Sequence, residues 1–526
     1  MSLKKLHKLH KLHTVYLVLG TLLTAQIGGL FYNSGTVKGM NTRADKLKIY
    51  AQAEREDATI LPGNICDRNG EILAETSYCT ETETDEKGTE TTVTVRKTAY
   101  KDGPAYSQLL GYTGKRELNP LADSEEQVVG ERNDYRLMAF LDDSDYWGEN
   151  GIYSTDANGT TGQTATLTID DGLQEAVFQA LAKEVNSSDE VGSAVVLDAK
   201  TGEVLSMVSF PSYDFNDLSQ AKEQMLEDEE NTNLEPSFPV SYKGPQTPGS
   251  IFKILVAAAL IDHGMADFTV KNSSIVIDNS AFKDVGDWPC YASVYNSGTL
   301  RIGEDEEINL EHALNISSNV YFAQAALALG SEKLQETASK FMLEPGEDHI
   351  TSDFGNIMYS WNPDPSVFTQ TAIGQGYTRL TTMYAAMIAQ AIANDGKMMQ
   401  PYLVKELTDS AGNVAYEGKS KVLSQATGKS TAHTLASYLR STAKEACQLH
   451  GLSDVSAVFE QYQVAGKTGT AEIGENRELN NAWYLSFAPA DDPQYVVVVN
   501  QCKTKKSGYQ MMPVAAEIYQ YLFDEY

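Results

Sequence analysis

From Ile254 to Ile261 the chain reads Ile-Leu-Val-Ala-Ala-Ala-Leu-Ile, and directly ahead of this run stand Ser250 and Lys253. A helix that is apolar on every side has to be buried in a domain core, so a hydroxyl and an amine sit at the mouth of a core element. Residues at i and i+3 share a helix face. A serine hydroxyl is a poor nucleophile near neutral pH, but a lysine whose charge is disfavoured by burial or by a neighbouring cation can take its proton. Pro248 and Gly249 suit a tight entry to a helix, and the unpaired N–H groups of a first turn favour an oxyanion forming beside Ser250. Alone, Ser-x-x-Lys also describes a solvated helix start and recurs by chance in a chain of 526 residues.

That length allows two or three domains, and 42% hydrophobic residues exclude a mainly disordered chain. The formal charge of −31, from 41 basic and 72 acidic residues, argues against nucleic acid as a partner and against broad adhesion to anionic lipid. Cys66, Cys79, Cys290, Cys447 and Cys502 lack Cys-x-x-Cys spacing, and the histidines show no metal-ligand pairing in the body of the chain. Neither a zinc site nor a disulfide framework is indicated. Cys66 and Cys79 are near enough in sequence to pair, but half-buried thiols are the ordinary alternative.

Residues 1–13 carry Lys4, Lys5, Lys8 and Lys11 and read as a basic cytoplasmic tail. From Leu12 to Val37 there is no Asp, Glu, Lys or Arg, and an apolar stretch over 14–33 has the length of a bilayer core. The preceding lysines leave the N-terminus inside, by the positive-inside rule, and the remainder outside. A cleaved signal peptide is the rival, but no small-x-small site follows the run and it is long for a signal core. The expectation is a single-pass, uncleaved anchor in the cell membrane with an extracytoplasmic catalytic part.

Residues 38–188 read as a separate mixed module, with a helix expected at Arg43 to Glu56 and a hairpin turn at Asn69-Gly70. Thr80 to Thr94 reads as a solvated strand or extended loop. Thr166 to Asp170 reads as a strand whose Asp caps a helix over Leu173 to Val185. Beyond Gly192, strands are expected at Ala194 to Asp198 and Glu203 to Val208, then an exposed acidic passage around Glu227 to Glu230. Helical character follows at the Ser250 segment, Leu310 to Leu329 and Thr381 to Asn394. Strands at Trp483 to Phe487 and Tyr495 to Val499, with a helix at Val514 to Phe523, close the chain. Strands at both ends with helices between predict an α+β domain over 189–526, its antiparallel sheet joining distant parts of the chain.

Two further stretches raise the Ser250 segment above chance. Ser317-Ser318-Asn319 and Lys467-Thr468-Gly469-Thr470 follow it, giving the order Ser-x-x-Lys, Ser-x-Asn, Lys-Thr-Gly that marks penicillin-binding proteins and class A β-lactamases. With Ala372-Ile373-Gly374-Gln375-Gly376 and the flanks Pro248-Gly249 and Val464-Ala465-Gly466, the chain resembles class B penicillin-binding proteins, monofunctional peptidoglycan D,D-transpeptidases. Gly63-Asn64-Ile65-Cys66-Asp67-Arg68-Asn69-Gly70 resembles their N-terminal signature, so the likeness covers nearly the whole chain. Pro62 stands where the family usually has arginine, which affects contacts within the N-terminal module. Ser318 stands where many relatives have Asp.

The resemblance implies a penicillin-binding, β-lactamase-like transpeptidase domain, a pedestal of the dimerisation type over 38–188, and no metal or organic cofactor. It implies that Ser250 is acylated by a stem peptide with release of the terminal D-alanine, and that Lys253 is the base. It assigns proton relay to Ser317 and orientation of Lys253 and substrate to Asn319. Lys467 supplies positive charge near the substrate carboxylate, and Thr468 and Thr470 bind that carboxylate. The amides of Ser250 and Thr470 form the oxyanion hole, and Gly469 leaves room beside them. The implied partners are stem peptides, β-lactams, a glycan polymerase and other membrane proteins of a division or elongation complex. A membrane-anchored β-lactamase or β-lactam sensor, and a catalytically silent scaffold, are the alternatives. The first is usually a shorter chain, the second has several spans, and intact Ser250, Lys253 and Lys467 count against the third.

Overall fold

The computed structural model describes residues 63–84, 88, 90–101, 103–110, 163–185, 190–214, 239–278, 291–294, 306–343, 350–352, 355–357, 364–474 and 478–526. The basic tail, the apolar span, the helix expected at Arg43 to Glu56 and the acidic passage around Glu227 lie outside the described residues. Among the described residues no helix is long and apolar enough to cross a membrane.

The first elements are β1 (Ile65–Cys66) and β2 (Ile72–Thr84), antiparallel about the Asn69-Gly70 turn. Gly70 has φ +89°, and the Asp67 carboxylate accepts the amides of Asn69 and Glu71, both at 2.8 Å, so the turn carries its own fastening. The threonine-rich stretch forms the outer half of a long antiparallel pair between β2 and β3 (Glu90–Tyr100). After α1 (Gly103–Leu110), β4 (Thr164–Leu167) lies parallel to β1. Asp170 caps α2 (Asp171–Ala182) by accepting the Leu173 amide at 2.9 Å, as its position predicts.

The second half begins with the hairpin of β5 (Val191–Asp198) and β6 (Val204–Phe210). Its helices include α3 (Lys253–Asp262), α4 (Leu310–Asn315), α5 (Asn319–Leu329), α6 (Pro365–Ala372) and α7 (Thr382–Ala393). Then come β7 (Val404–Thr408), β8 (Val414–Glu417), α8 (Lys429–Leu449), β9 (Ala465–Ile473), β10 (Leu479–Ala488), β11 (Tyr495–Thr504) and α9 (Met512–Asp524). The central sheet has the order β9-β10-β11-β5-β6 with every pairing antiparallel. The expected junction of distant chain segments is the β11–β5 pairing, with Val498 opposite Val195.

Period-two alternation splits this sheet between two cores. Val195, Leu197, Trp483, Leu485 and Val498 face the helices α3, α5 and α7, while Ala194, Val196, Tyr484, Val497 and Val499 face α2 and α9. Ile254 to Leu260 of α3 are essentially inaccessible, as an all-apolar helix demands. Truncating one of them, Leu255→Ala, is expected to cost about 2–5 kcal/mol. A second sheet, β8-β7-β4-β1-β2-β3, draws β7 and β8 from the C-terminal half and the other strands from the N-terminal region. The two halves therefore share hydrogen-bonded backbone.

Candidate active site

Ser250 lies in a 3₁₀ turn, Gly249–Phe252, that feeds α3 at Lys253. The α-helical first turn expected at Ser250 is thus tightened, and the reason is close contact on three sides. Gly249 has φ +55°, and a Cβ there would meet the Thr470 carbonyl oxygen at 2.8 Å. Its amide donates to the Gly374 carbonyl at 2.9 Å, which gives the Gly374-Gln375-Gly376 segment a structural task. Gln246 and Leu380 exchange amide bonds of 2.8 and 2.9 Å, and the Trp483 indole N–H donates to the Thr247 carbonyl at 2.9 Å. Ser250 itself is half-buried, while Gly249, Ile251, Phe252 and Lys253 are buried.

Lys253 is fully buried without a carboxylate. Its ammonium donates to the Asn319 Oδ1 at 2.7 Å and the Ser317 carbonyl at 2.8 Å, and reaches the Ser317 Oγ at 3.4 Å. Burial, reinforced by the charge of Lys467, holds Lys253 well below the ordinary lysine range. Two residues of one segment, 64 and 66 positions away in sequence, therefore meet Lys253.

The apolar run Leu310 to Leu329 is two helices, not one, and the break is functional in form. At the end of α4, Ser318 N–H bonds to the Ala313 carbonyl at 2.9 Å and Ser317 N–H to the Leu314 carbonyl at 3.2 Å, the paired bonds of a Schellman C-cap. The left-handed residue of such a cap is usually glycine, but here it is Ser317, φ +56°. A side chain in that conformation costs on the order of 1 kcal/mol, and the strain turns the Ser317 carbonyl and hydroxyl toward Lys253. Ser318 then caps α5, accepting the Tyr321 amide at 3.0 Å and donating to Asn272 Oδ1 at 2.7 Å. Ser318 is buried between half-exposed Ser317 and Asn319, so the middle residue serves the helix cap and its neighbours face the site.

β9 lies at the edge of the central sheet. Lys467 is buried, its ammonium donates to the Thr468 carbonyl at 3.1 Å, and burial pushes its pKa down to about 7. Thr468 and Thr470 share a strand face, as period two requires. Since the Thr470 carbonyl is turned toward Gly249, its amide lies on that side also. The Thr470 hydroxyl accepts the Gly508 amide at 3.0 Å, which holds it at the strand surface. Gly469 does not leave open room. A Cβ there would stand 2.7 Å from the Pro248 carbonyl oxygen and 2.9 Å from Ile251 Cγ2, so the missing side chain admits the Ser250 turn itself.

The penicillin binding protein transpeptidase domain matches residues 192–522. The chain belongs to that family. It is 29% identical over 348 residues to the peptidoglycan D,D-transpeptidase PbpA of Mycolicibacterium smegmatis, covering 64% of this chain and 67% of that protein. It is 24% identical over 491 residues to the peptidoglycan D,D-transpeptidase MrdA of Haemophilus influenzae, covering 82% and 70%. The ceftriaxone acyl-enzyme structure of penicillin-binding protein A from M. tuberculosis superposes with a TM-score of 0.67 at 22% identity, covering 89% of this chain and 99% of that one. The fold is therefore the penicillin-binding transpeptidase fold.

Around the motif residues of this penicillin-binding protein stand others that the sequence did not single out. Asn272 holds Ser318, Trp483 holds Thr247, and the Phe322 ring lies under the Lys253 ammonium, 5.6 Å from ring centroid to Nζ. Only Phe322 had a local signal, three residues after Asn319 and so on the same helix face. Cys66, Cys447 and Cys502 are buried free thiols. Among the described residues no His, Cys, Asp and Glu group is arranged to hold a metal ion.

Proposed function

We propose that this protein is a peptidoglycan D,D-transpeptidase, anchored by residues 14–33 with its catalytic domain outside the membrane, and a target of β-lactams. The observation that carries the reading is the Lys253 ammonium, buried beside a second cation and held by Ser317 and Asn319 at the foot of the Ser250 turn. Burial and Lys467 destabilise the protonated lysine, which makes neutral Lys253 available to take the Ser250 proton. The Ser250 oxygen then bonds to the carbonyl carbon between the two terminal D-alanines of a stem peptide. The amides of Ser250 and Thr470 hold the oxyanion, a contribution of about 3–4 kcal/mol per donor.

As the C–N bond breaks, Ser317 passes the proton from Lys253 to the departing D-alanine nitrogen. Lys467, with the hydroxyls of Thr468 and Thr470, receives the terminal carboxylate, and a bound carboxylate raises the Lys467 pKa again. An amine from a neighbouring stem attacks the ester, its proton returns through the same groups to the Ser250 oxygen, and the product is a cross-link. A β-lactam presents a strained amide in place of the D-alanyl-D-alanine bond and leaves Ser250 acylated.

The N-terminal region acts as a pedestal that holds this domain away from the bilayer, where a glycan polymerase and other proteins of a division or elongation complex are its partners. The names of PbpA and MrdA support the reaction, and the lysine-flanked apolar run supports the anchor. Fluorescent penicillin should label the full chain stoichiometrically, and Ser250→Ala should abolish labelling. Rapid turnover of the adduct would indicate a β-lactamase, and no labelling of the wild type a scaffold.

A further inference from the structure

Lys253 has four neighbours that bear on its charge. The Ser317 carbonyl and Asn319 Oδ1 accept its protons, Lys467 on β9 opposes its charge, and the Phe322 ring of α5 lies beneath it. Among the described residues Lys467 is the one charged group acting on Lys253. Phe322 is fully buried, so its position is set by packing, and Asn319 and Phe322 share a face one turn apart on α5. A ring face within about 6 Å attracts a cation, and more strongly where water is excluded.

We propose that Phe322 is a positioning residue for the general base: its ring face holds the Lys253 ammonium and, by stabilising the cation, sets the pH above which Lys253 accepts the Ser250 proton. The inference rests on the reading of Lys253 as base. Desolvation and Lys467 pull the lysine toward its neutral form, while the ring and the two oxygen acceptors oppose that pull. The balance keeps Lys253 protonated enough to stay anchored between Ser317 and Asn319, yet basic enough to take the proton once it is neutral. A leucine of similar volume fills the space without the ring's charge distribution and leaves the first effect less opposed.

The test is the pH dependence of acylation by penicillin, measured on the full chain. In Phe322→Leu the ascending limb should move to lower pH by on the order of half to one unit, and in Phe322→Tyr it should stay near the wild-type position. Replacing Phe322 with phenylalanines of increasing fluorination keeps shape and packing, so the limb should move stepwise with fluorine count even if the leucine variant folds poorly. A uniform drop in rate with an unmoved limb in both series would overturn the role of Phe322 and leave only packing. Failure of the wild type to be acylated would instead overturn the base assignment itself.

Discussion

Two places in the molecule bring a lysine against groups from distant parts of the chain, and they treat its charge in opposite ways. At the junction between the N-terminal strands and α2, Lys101 bonds to Asp171 at 2.7 Å and to Glu71 at 3.0 Å, with its side chain partly in water. Those carboxylates push its pKa up. At the active site Lys253 and Lys467 are buried with carbonyls, an amide and each other, and both pKa values fall. Pairing a surface lysine makes a fastening. Burying one without a countercharge makes a base or an anion receptor at a cost in stability, which the all-apolar α3 and the two-sided sheet offset.

Substituting the lysines is the sharpest way to break this contrast. Lys253→Met should lower penicillin acylation about 10²- to 10⁴-fold, the range of a lost general base, in stopped-flow labelling; a loss under tenfold would remove Lys253 from the proton path. Lys467→Met should change how stability depends on pH. Because the folded pKa of Lys467, about 7, lies below the unfolded value of 10.5, the unfolded state binds more protons between them, and stability rises with pH across that window. The slope from one such group reaches about 1.4 kcal/mol per pH unit. Denaturant midpoints from pH 7 to 10 should therefore climb less steeply in the variant than in the wild type.

Smaller effects sharpen the same comparison. Ser317→Gly relieves a left-handed serine and should stabilise the fold by about 1 kcal/mol while acylation falls, so thermal and kinetic measurements should move in opposite directions. A parallel loss of both would mean that the Ser317 side chain is structural. Lys101→Met should cost no more than about 1 kcal/mol and leave acylation unchanged, as a partly exposed pair predicts. Acylation lost on that substitution would mean that the N-terminal junction reaches the site.

Much of the site was legible because three short motifs in order resemble those of a known family, and each motif keeps its residues at short spacing. Ser250 and Lys253 are one turn apart, Ser317 and Asn319 flank a helix cap, and Thr468 and Thr470 obey the period of a strand. The elbow at Ser317 was not legible. Asn315, Ser317, Ser318 and Asn319 all suit helix ends, but no glycine marks which of them turns left-handed, since the serine occupies the glycine position for reasons that lie in Lys253, 64 residues earlier. Asn272 and Trp483 were also invisible, because each acts on a backbone or hydroxyl group far from it in sequence. The role of Gly469 changed from leaving space to admitting the Ser250 turn, a matter of which surface lies against the strand.

Taken alone, the order of residues determined that a buried helix opens with a hydroxyl and an amine and that strands at both ends close one sheet, while the roles of the motif residues came from family resemblance. Local pattern suffices for the helix and the strands, because periodicity and spacing act within a few residues. The tertiary structure decided that two lysines from separate elements share one water-poor space, that a strained serine faces one of them, and that an aromatic ring underlies Lys253. Desolvation, charge repulsion and ring contact depend on distance through space, and only the folded chain sets those distances.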